Sequence, residues 1–383
     1  MTDSAVDTPS LAYSQMAEGW QLIDALLGGT RSMRAAGTIY LPQEKAESDI
    51  DYRVRLNRSI LYTALKDTVG KLSAKPFSKP VSLSEELPDM LKGMEKNIDF
   101  SGTNLTQFLR RVFEDGLRYG LSHILVDFPK TGGGLTLGEE RARGVRPYFV
   151  HIKAKDLIGW KADKQEDGSK KVTRIRYRET RTEYVDNYGE AVVDYVRVID
   201  ESTWELWRRQ PDENEYSMVE NGIHTAGRVP LLTFYTIASD FMVAEPPLEG
   251  LAWLNLAHWQ SSSDQRNILR FSRMGILFGS GFSDAEAEAG ITISPTKVTL
   301  STNPDAQLVY VEHKGHAIGA GAADLTRLEE QMETQGLQPL VASTSNTTAH
   351  GRDLDEARNH SNIQAWVWAL DDVCAQAFAL AAA

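Results

Sequence analysis

Between Val145 and Ile237 the apolar residues recur with a period of two, whereas on either side they recur every three or four positions. A chain patterned this way must place a β-rich block between two helical blocks, so the fold class is α+β. Within the block, Tyr148–Ile152, Leu157–Lys161, Val172–Tyr184, Ala191–Asp200, Thr203–Arg209, Tyr216–Glu220 and Leu231–Tyr235 read as strands, rich in Val, Ile, Tyr, Thr and Trp. Turns such as Asp167-Gly168 and Asn187-Tyr188-Gly189 divide them, which predicts one contiguous, mostly antiparallel sheet region.

Ahead of that block, the spacing predicts one helix over Ser48–Lys75, capped by Ser48 and stopped by Pro76. A second helix is predicted over Leu105–Tyr119, with Thr103 or Asn104 as cap and Gly120 in the left-handed end position. Ser122–Phe128 reads as a buried strand, and the glycine-rich Lys130–Gly138 as a surface loop.

Behind it, Leu248–Arg273 is predicted as a helix about 39 Å long, with apolar ends and the polar middle SSSDQRN. Short strand-like pieces follow at Gly275–Phe282, Ile291–Ser294, Lys297–Leu300 and Gln307–Glu312. A helix over Ala322–Gln335 carries Leu325, Leu328 and Met332 on one stripe and Asp324, Glu329, Glu330 and Glu333 on the other. Two helices flanking a small β module suggest an antiparallel pair with a protruding lobe. Val341–Arg352 has no apolar period and reads as a Ser/Thr/Asn-rich loop; a last helix is predicted from Asp353 to the final residue.

Composition narrows the function classes. The chain carries 41 Lys and Arg against 53 Asp and Glu, a net charge of −12, which disfavours a protein that grips nucleic acid tightly through its phosphates. A single cysteine, Cys374, precludes an intrachain disulfide and a Cys-based metal cluster, consistent with synthesis in a reducing compartment. The most apolar stretches, Ile60–Leu65, Leu251–Trp259 and Ala365–Leu370, fall short of the roughly 20 residues of a membrane span, and MTDSAVDTPS does not read as a signal peptide.

Motifs for bond chemistry are lacking: there is no GxxxxGK[ST], no GxGxxG after a strand, no HExxH, and Gly279-Ser280-Gly281 lacks the GxSxG spacing. Gly132-Gly133-Gly134 is read as loop rather than phosphate cradle, and His313 and His316 beside Glu312 as a polar turn rather than metal ligands. Asp353, Asp355 and Glu356, with Asp371 and Asp372, resemble a Mg²⁺ cluster superficially, but acids also suit a helix N-terminus. No metal, no cofactor and no enzymatic activity are expected. Arg266, Arg270 and Arg273 form an i, i+4, i+7 stripe on the long helix, read either as a solvated face pairing with the acidic stripe of Ala322–Gln335 or as a surface facing a polyanion. Arg174, Arg176 and Arg178 alternate on one strand face, and Trp253, Trp259, Trp366 and Trp368 read as core or subunit packing.

The order of these pieces, carried by PPLEGLAWLNLAHWQSSSDQRNILRFSRMGILFGSGF (246–282) and LVYVEHKGHAIGAGAADLTRLEEQMETQGLQPL (308–340), resembles the portal proteins of tailed bacteriophages. GLSHILVDFP (120–129) and TTAHGRDLDEARNHSNIQAW (347–366) fit a narrower branch of that group, described only as a domain of unknown function. The resemblance implies a ring of twelve copies at one capsid vertex, through which double-stranded DNA is packaged and ejected. It assigns residues 1–246 to an α/β wing, 247–273 and 317–340 to two stem helices, and 274–316 to a small α/β clip. Residues 341–352 become a tunnel loop and 353–383 the start of the long wing helix; the crown that normally follows has no counterpart in this sequence. Implied partners are other copies of the chain, the terminase large subunit, a head-to-tail adaptor or neck protein, the major capsid protein with its scaffold, and DNA passing non-specifically, with no membrane. The implied location is the virion, at its unique vertex, after assembly in the host cytoplasm.

On this resemblance the DNA-contacting loop comprises Ser343, Thr344, Ser345, Asn346, Thr347 and Thr348, with His350 and Arg352 at its edge, and Arg266, Arg270 and Arg273 are candidate channel-facing stem residues. The charge suits the role: twelve chains of −12 make roughly −144, an acidic ring in which DNA slides rather than binds. Other classes that fit the sequence are a metal-dependent nuclease using Asp353, Asp355 and Glu356, and a head-tail adaptor ring, although adaptors are usually much smaller.

Overall fold

A computed structural model describes all residues except 1–4, 84–87, 130–137, 140–142, 211–212, 214, 273–275, 285–300, 302, 312–315, 337–348 and 383. It is mixed α+β, and its chain divides into two units that interleave in sequence: Met1–Leu27, Thr63–Trp253 and Glu333–Ala383 form the first, Gly28–Tyr62 and Leu254–Met332 the second.

The first unit is built around helix α6 (Leu105–Tyr119) and strand β1 (Leu121–Asp127). Asn104 accepts a hydrogen bond from the Gln107 amide at 2.8 Å, satisfying one orphan donor of the first turn. Leu105, Phe108, Leu109, Val112, Phe113 and Leu117 are all buried, as their spacing required. At the other end Gly120 takes φ 91° and its amide closes on the Gly116 carbonyl. The chain reverses there into β1, whose residues are almost wholly buried.

β1 is the middle strand of a three-stranded sheet, flanked on both sides by antiparallel partners, β2 (Tyr148–Ile152) and β8 (Leu231–Tyr235). The other strands form a separate antiparallel meander in the order β3 (Leu157–Lys164), β4 (Lys170–Tyr184), β5 (Glu190–Asp200), β6 (Thr203–Arg209) and β7 (Ser217–Ile223). The period-two block is therefore two sheets, not one contiguous region. The reason is pairing: the buried strand after α6 recruits the first and last strands of the block, and the five between them close on each other. The sheets share one core, in which Leu125 and Ile152 meet Leu157, Ile175, Tyr177 and Ile199. A short pair, β9 (Ala238–Asp240) and β10 (Val243–Ala244), follows β8.

Helix α1 (Leu11–Leu27) went unread in the sequence; it buries Trp20, Leu22, Ile23 and Leu26, and the Trp20 indole donates to the Tyr119 carbonyl at 3.2 Å. The arginine row of β4 is structural. Arg174 pairs with Asp200, and Arg176 donates to the Val6 carbonyl at 2.8 Å, so the row fastens the segment before α1 across the sheet.

Five polar side chains are gathered on and around β1. Ser122 Oγ is 2.8 Å from His151 Nε2, Asp115 accepts the Ala154 amide at 2.9 Å, and His123 Nδ1 is 3.0 Å from Thr233 Oγ1. His123 is 1% exposed, and burial pushes its pKa down to about 3, with Asp115 favouring the charged ring and His151 opposing it. The folded state thus resists a proton that the unfolded chain takes up near pH 6.5. Stability is full above about pH 6.5 and falls as pH drops toward 3, by roughly 2 kcal/mol at pH 5 from this group. Urea unfolding of His123→Gln at pH 7.5 and 5.0 should show a smaller pH loss than the parent chain; equal losses would exclude His123 as the source.

The segment predicted as one helix over Ser48–Lys75 is two: α3 (Asp49–Arg58), capped by Ser48 through the Asp51 amide, and α4 (Ala64–Ala74), which lies in the first unit. The break is held by side chains. Thr30 Oγ1 accepts the Leu61 amide at 3.1 Å, Asn255 donates to the Tyr62 carbonyl at 2.8 Å, and Ser59 Oγ bonds Ser263 Oγ at 2.8 Å. The apolar spacing runs straight through Ser59–Thr63 and hides a break made by polar partners distant in sequence. Helix α2 (Gly29–Ala36) precedes it, and a four-residue α5 (Asp89–Lys92) follows α4.

Candidate functional site

The candidate site is the second unit, where α7 (Glu249–Ser272) runs beside α8 (His316–Gln335). Between them strand β11 (Ile276–Ser280) pairs antiparallel with β12 (Gln307–Val311), the first and last of the strand-like pieces expected in the small lobe. Residues 285–300, which include the strand-like pieces Ile291–Ser294 and Lys297–Leu300, lie outside the described residues.

Part of the polar middle of α7 faces inward: Ser262, Ser263 and Gln265 are buried, as are Asn255 and His258 nearer the start of the helix. On the α8 side, His258 Nε2 is 3.2 Å from Glu329 Oε1, Ser261 Oγ donates to Asp324 Oδ2 at 2.8 Å, and Gln265 Nε2 donates to the Ile318 carbonyl at 2.9 Å. Positions rise along one helix as they fall along the other, so the pair is antiparallel. On the opposite side Gln260 donates to the Tyr40 carbonyl at 3.0 Å, alongside the Asn255 and Ser263 bonds to the chain break. Arg55 completes this set: its guanidinium forks onto Glu47 at 2.7 and 2.8 Å, donates to the Pro42 carbonyl at 2.7 Å and lies 3.4 Å from Asp264. Hydrogen bonds to Arg55 are the main reason Glu47 titrates below its usual range.

Helix α8 starts at His316, six residues before the predicted Ala322, and so takes in Gly319 and Gly321. The helices run close there: a Cβ at Gly321 would sit 2.1 Å from Gln265 Oε1, so a larger residue would require the Gln265 side chain to move. Of the acidic stripe of α8, Asp324 is bonded by Ser261 and Arg327, and Glu329 lies beside His258.

Of the predicted stem arginines, Arg266 is exposed on α7, Arg270 is half-buried on the same helix and has interactions of its own, and Arg273 lies outside the described residues. Ser343, Thr344, Ser345, Asn346, Thr347 and Thr348 also lie outside them. The backbone at His350 and Arg352 is helical, because α9 (Ala349–Ala382) starts four residues before the predicted Asp353. Ala349 favours helix, and the polar composition of the surrounding TTAHGR masked that start. Asp353, Asp355 and Glu356 fall early in the backbone of α9, and their side chains lie outside the described residues.

Within the first unit, α9 lays a buried stripe of Leu370, Val373, Cys374, Ala377 and Phe378 on β1 and β8, with Phe378 5.1 Å from the Phe149 ring. Burial pushes the Cys374 thiol up to about 12, so it is an inert packing group. By length and composition, Ile363–Ala382 is apolar enough to cross a membrane, unlike the short stretches counted from sequence. Its alanines raise the mean hydropathy, yet Asp371 and Asp372 are exposed on its outer face, and the stripe beneath is packed on protein.

Sequence reasoning missed one arrangement that imitates chemistry. Ser122, His151 and Asp115 carry the residue types of a hydrolase triad, but Asp115 Oδ2 approaches the same Nε2 as the serine, at 3.7 Å, instead of orienting the far nitrogen. Ser122 is fully buried, so no substrate reaches it. The cluster holds β1 to β2. Two shallow polar cavities lie on the five-stranded sheet, the first about 310 Å³ and lined by Asp7, Arg178, Asp194, Arg209 and Tyr216 among others; the first holds the Arg209–Asp194 ion pair and the second the Arg174–Asp200 pair.

Residues 247–383, which span α7, the hairpin, α8 and α9, match the family model described as a domain of unknown function (DUF4055). No curated protein matches the chain. Among solved structures the chain is similar to one from the virion of a native gene transfer agent particle, with a TM-score of 0.39 and 10% identity over 80% of this chain and 76% of that one.

Proposed function

We propose that this chain is the subunit of a phage portal: a ring at one capsid vertex that passes double-stranded DNA and serves as platform for the terminase and the head-to-tail connector. The observation that carries the reading is the antiparallel α7–α8 pair, zipped by buried polar groups and bearing a hairpin between its ends, followed by a polar segment and the long helix α9. Such a pair is a stiff strut with no reactive group at its centre. In the ring it forms the stem, the β11–β12 lobe forms the clip, and residues 341–348 form the tunnel loop, with His350 and Arg352 on the first turn of α9 at its edge. The role is mechanical rather than enzymatic, and its location is the virion.

Hydroxyl and amide side chains at 343–348 suit this function because they make weak, exchangeable contacts with phosphates, whereas a lysine-lined constriction would arrest the DNA. Deleting residues 343–348 should reduce DNA packaging to background while electron micrographs still show rings of about twelve subunits. Unaltered packaging by the deletion variant would remove the loop from the mechanism. Absence of rings from the parent chain would remove the portal reading altogether.

A further inference from the structure

In the five-stranded sheet, β4 and β5 outrun their neighbours. β3 pairs with β4 only as far as Tyr177 and β6 with β5 only as far as Asp194, so Arg181–Tyr184 and Glu190–Val193 pair solely with each other. A two-stranded ribbon is marginal in water. This one nevertheless ends in Tyr184, Val185, Tyr188 and Val192, exposed at 78%, 71%, 96% and 63%. Together they present on the order of 500 Å² of side chain, against about 800 Å² per partner in a standard interface. The ribbon is also braced: Glu183 pairs with Arg208 at 2.5 Å and accepts the Tyr195 hydroxyl, and Asp186 Oδ1 accepts the Tyr188 amide at 2.8 Å. A tip held in one shape loses little entropy on docking.

Charge selects what it docks on. From Thr182 to Val196 the sequence holds Glu183, Asp186, Glu190 and Asp194 and no lysine or arginine; Arg208 and Arg209 pair with Glu183 and Asp194, which leaves Asp186 and Glu190 as the net charge of the tip, so two tips meeting across a two-fold axis would oppose like charges. The contact must be head-to-tail, on a basic surface. The same unit supplies one: over Ala64–Pro80, on α4 and just beyond, Lys66, Lys71, Lys75 and Lys79 stand against Asp67 alone, and Lys66, Lys71 and Lys79 are exposed.

We propose that the β4–β5 hairpin tip of one copy docks on the Lys66–Lys79 segment of a second copy, a head-to-tail contact that closes into a ring. This rests on the ring reading above and names its interface. The test uses the full chain, followed by sedimentation velocity and electron micrographs. Val185→Ser with Tyr188→Ser should convert rings to monomers at concentrations where the parent assembles, with unchanged thermal unfolding, because both side chains are exposed. Glu190→Lys should do the same, and Lys71→Glu added to it should restore rings. Rings formed normally by the tip variant would overturn the interface and leave the ring reading intact. Loss of rings that the charge exchange does not restore would overturn the Lys66–Lys79 receptor. A parent chain that stays monomeric would instead overturn the ring reading itself.

Discussion

Replacing Arg55 with methionine should destabilise the second unit by about 3–5 kcal/mol, the usual consequence of leaving one half of a buried ion pair uncompensated. The Arg55 side chain is 6% exposed and that of Glu47 11%, so neither charge is well solvated in the fold. Without the guanidinium, the Glu47 carboxylate and the Pro42 carbonyl lose their donors together. The double variant Arg55→Met, Glu47→Leu removes both charges and should recover most of the loss, because the pair's attraction is largely offset by its desolvation. Urea titration of the parent, both single variants and the double variant measures this coupling. A single-variant loss below about 1 kcal/mol would mean that the pair behaves as a solvated surface bridge. The pH dependence has a fixed sign. Since Glu47 titrates below its ordinary value, its contribution is present above about pH 4.5 and fades as pH falls through the lower folded value.

Arg55 also shows where sequence reading reaches its limit. Local rules performed well wherever a structure is decided within a few residues: Asn104 and Gly120 bound α6 as their capping chemistry demands, and β2, β6 and β8 start and end where alternation placed them. What failed depended on partners far along the chain. Nothing near Ser59 announces that Thr30, Asn255 and Ser263 will satisfy a broken helix, and nothing in SSSDQRN says whether serines face water or a neighbouring helix. Polar residues at helical spacing are legible as a stripe, but their burial is decided by whether complementary groups arrive, here Asp324, Glu329 and the Ile318 carbonyl. The sheet division was hidden for the same reason, since alternation reports a strand's faces and not its neighbours.

For the proposed ring, that inward polar seam matters mechanically. A stem held by apolar packing alone could slide or rotate at little cost in direction, whereas three hydrogen-bonded contacts spaced along α7 and α8 fix the register of the pair.

The second large effect is expected at Gly120, the hinge between α6 and the buried strand β1. Alanine there meets two separate penalties. Its φ of 91° lies in the left-handed region, which costs an L-residue roughly 1–2 kcal/mol. Its Cβ would also stand 2.5 Å from the Glu245 carbonyl oxygen, a backbone atom that cannot swing aside as a side chain would, and relieving such overpacking typically costs about 1–3 kcal/mol. Gly120→Ala should therefore lose roughly 3–4 kcal/mol. Gly102 separates the two terms, because its φ is 84° and a Cβ added there meets nothing within 4 Å. Gly102→Ala should cost only the backbone share, and the difference between the two variants in urea midpoint measures the crowding. Equal losses would show that the turn after α6 yields freely; the larger loss at Gly120 would show that β1 is held in place by the segment running through Glu245.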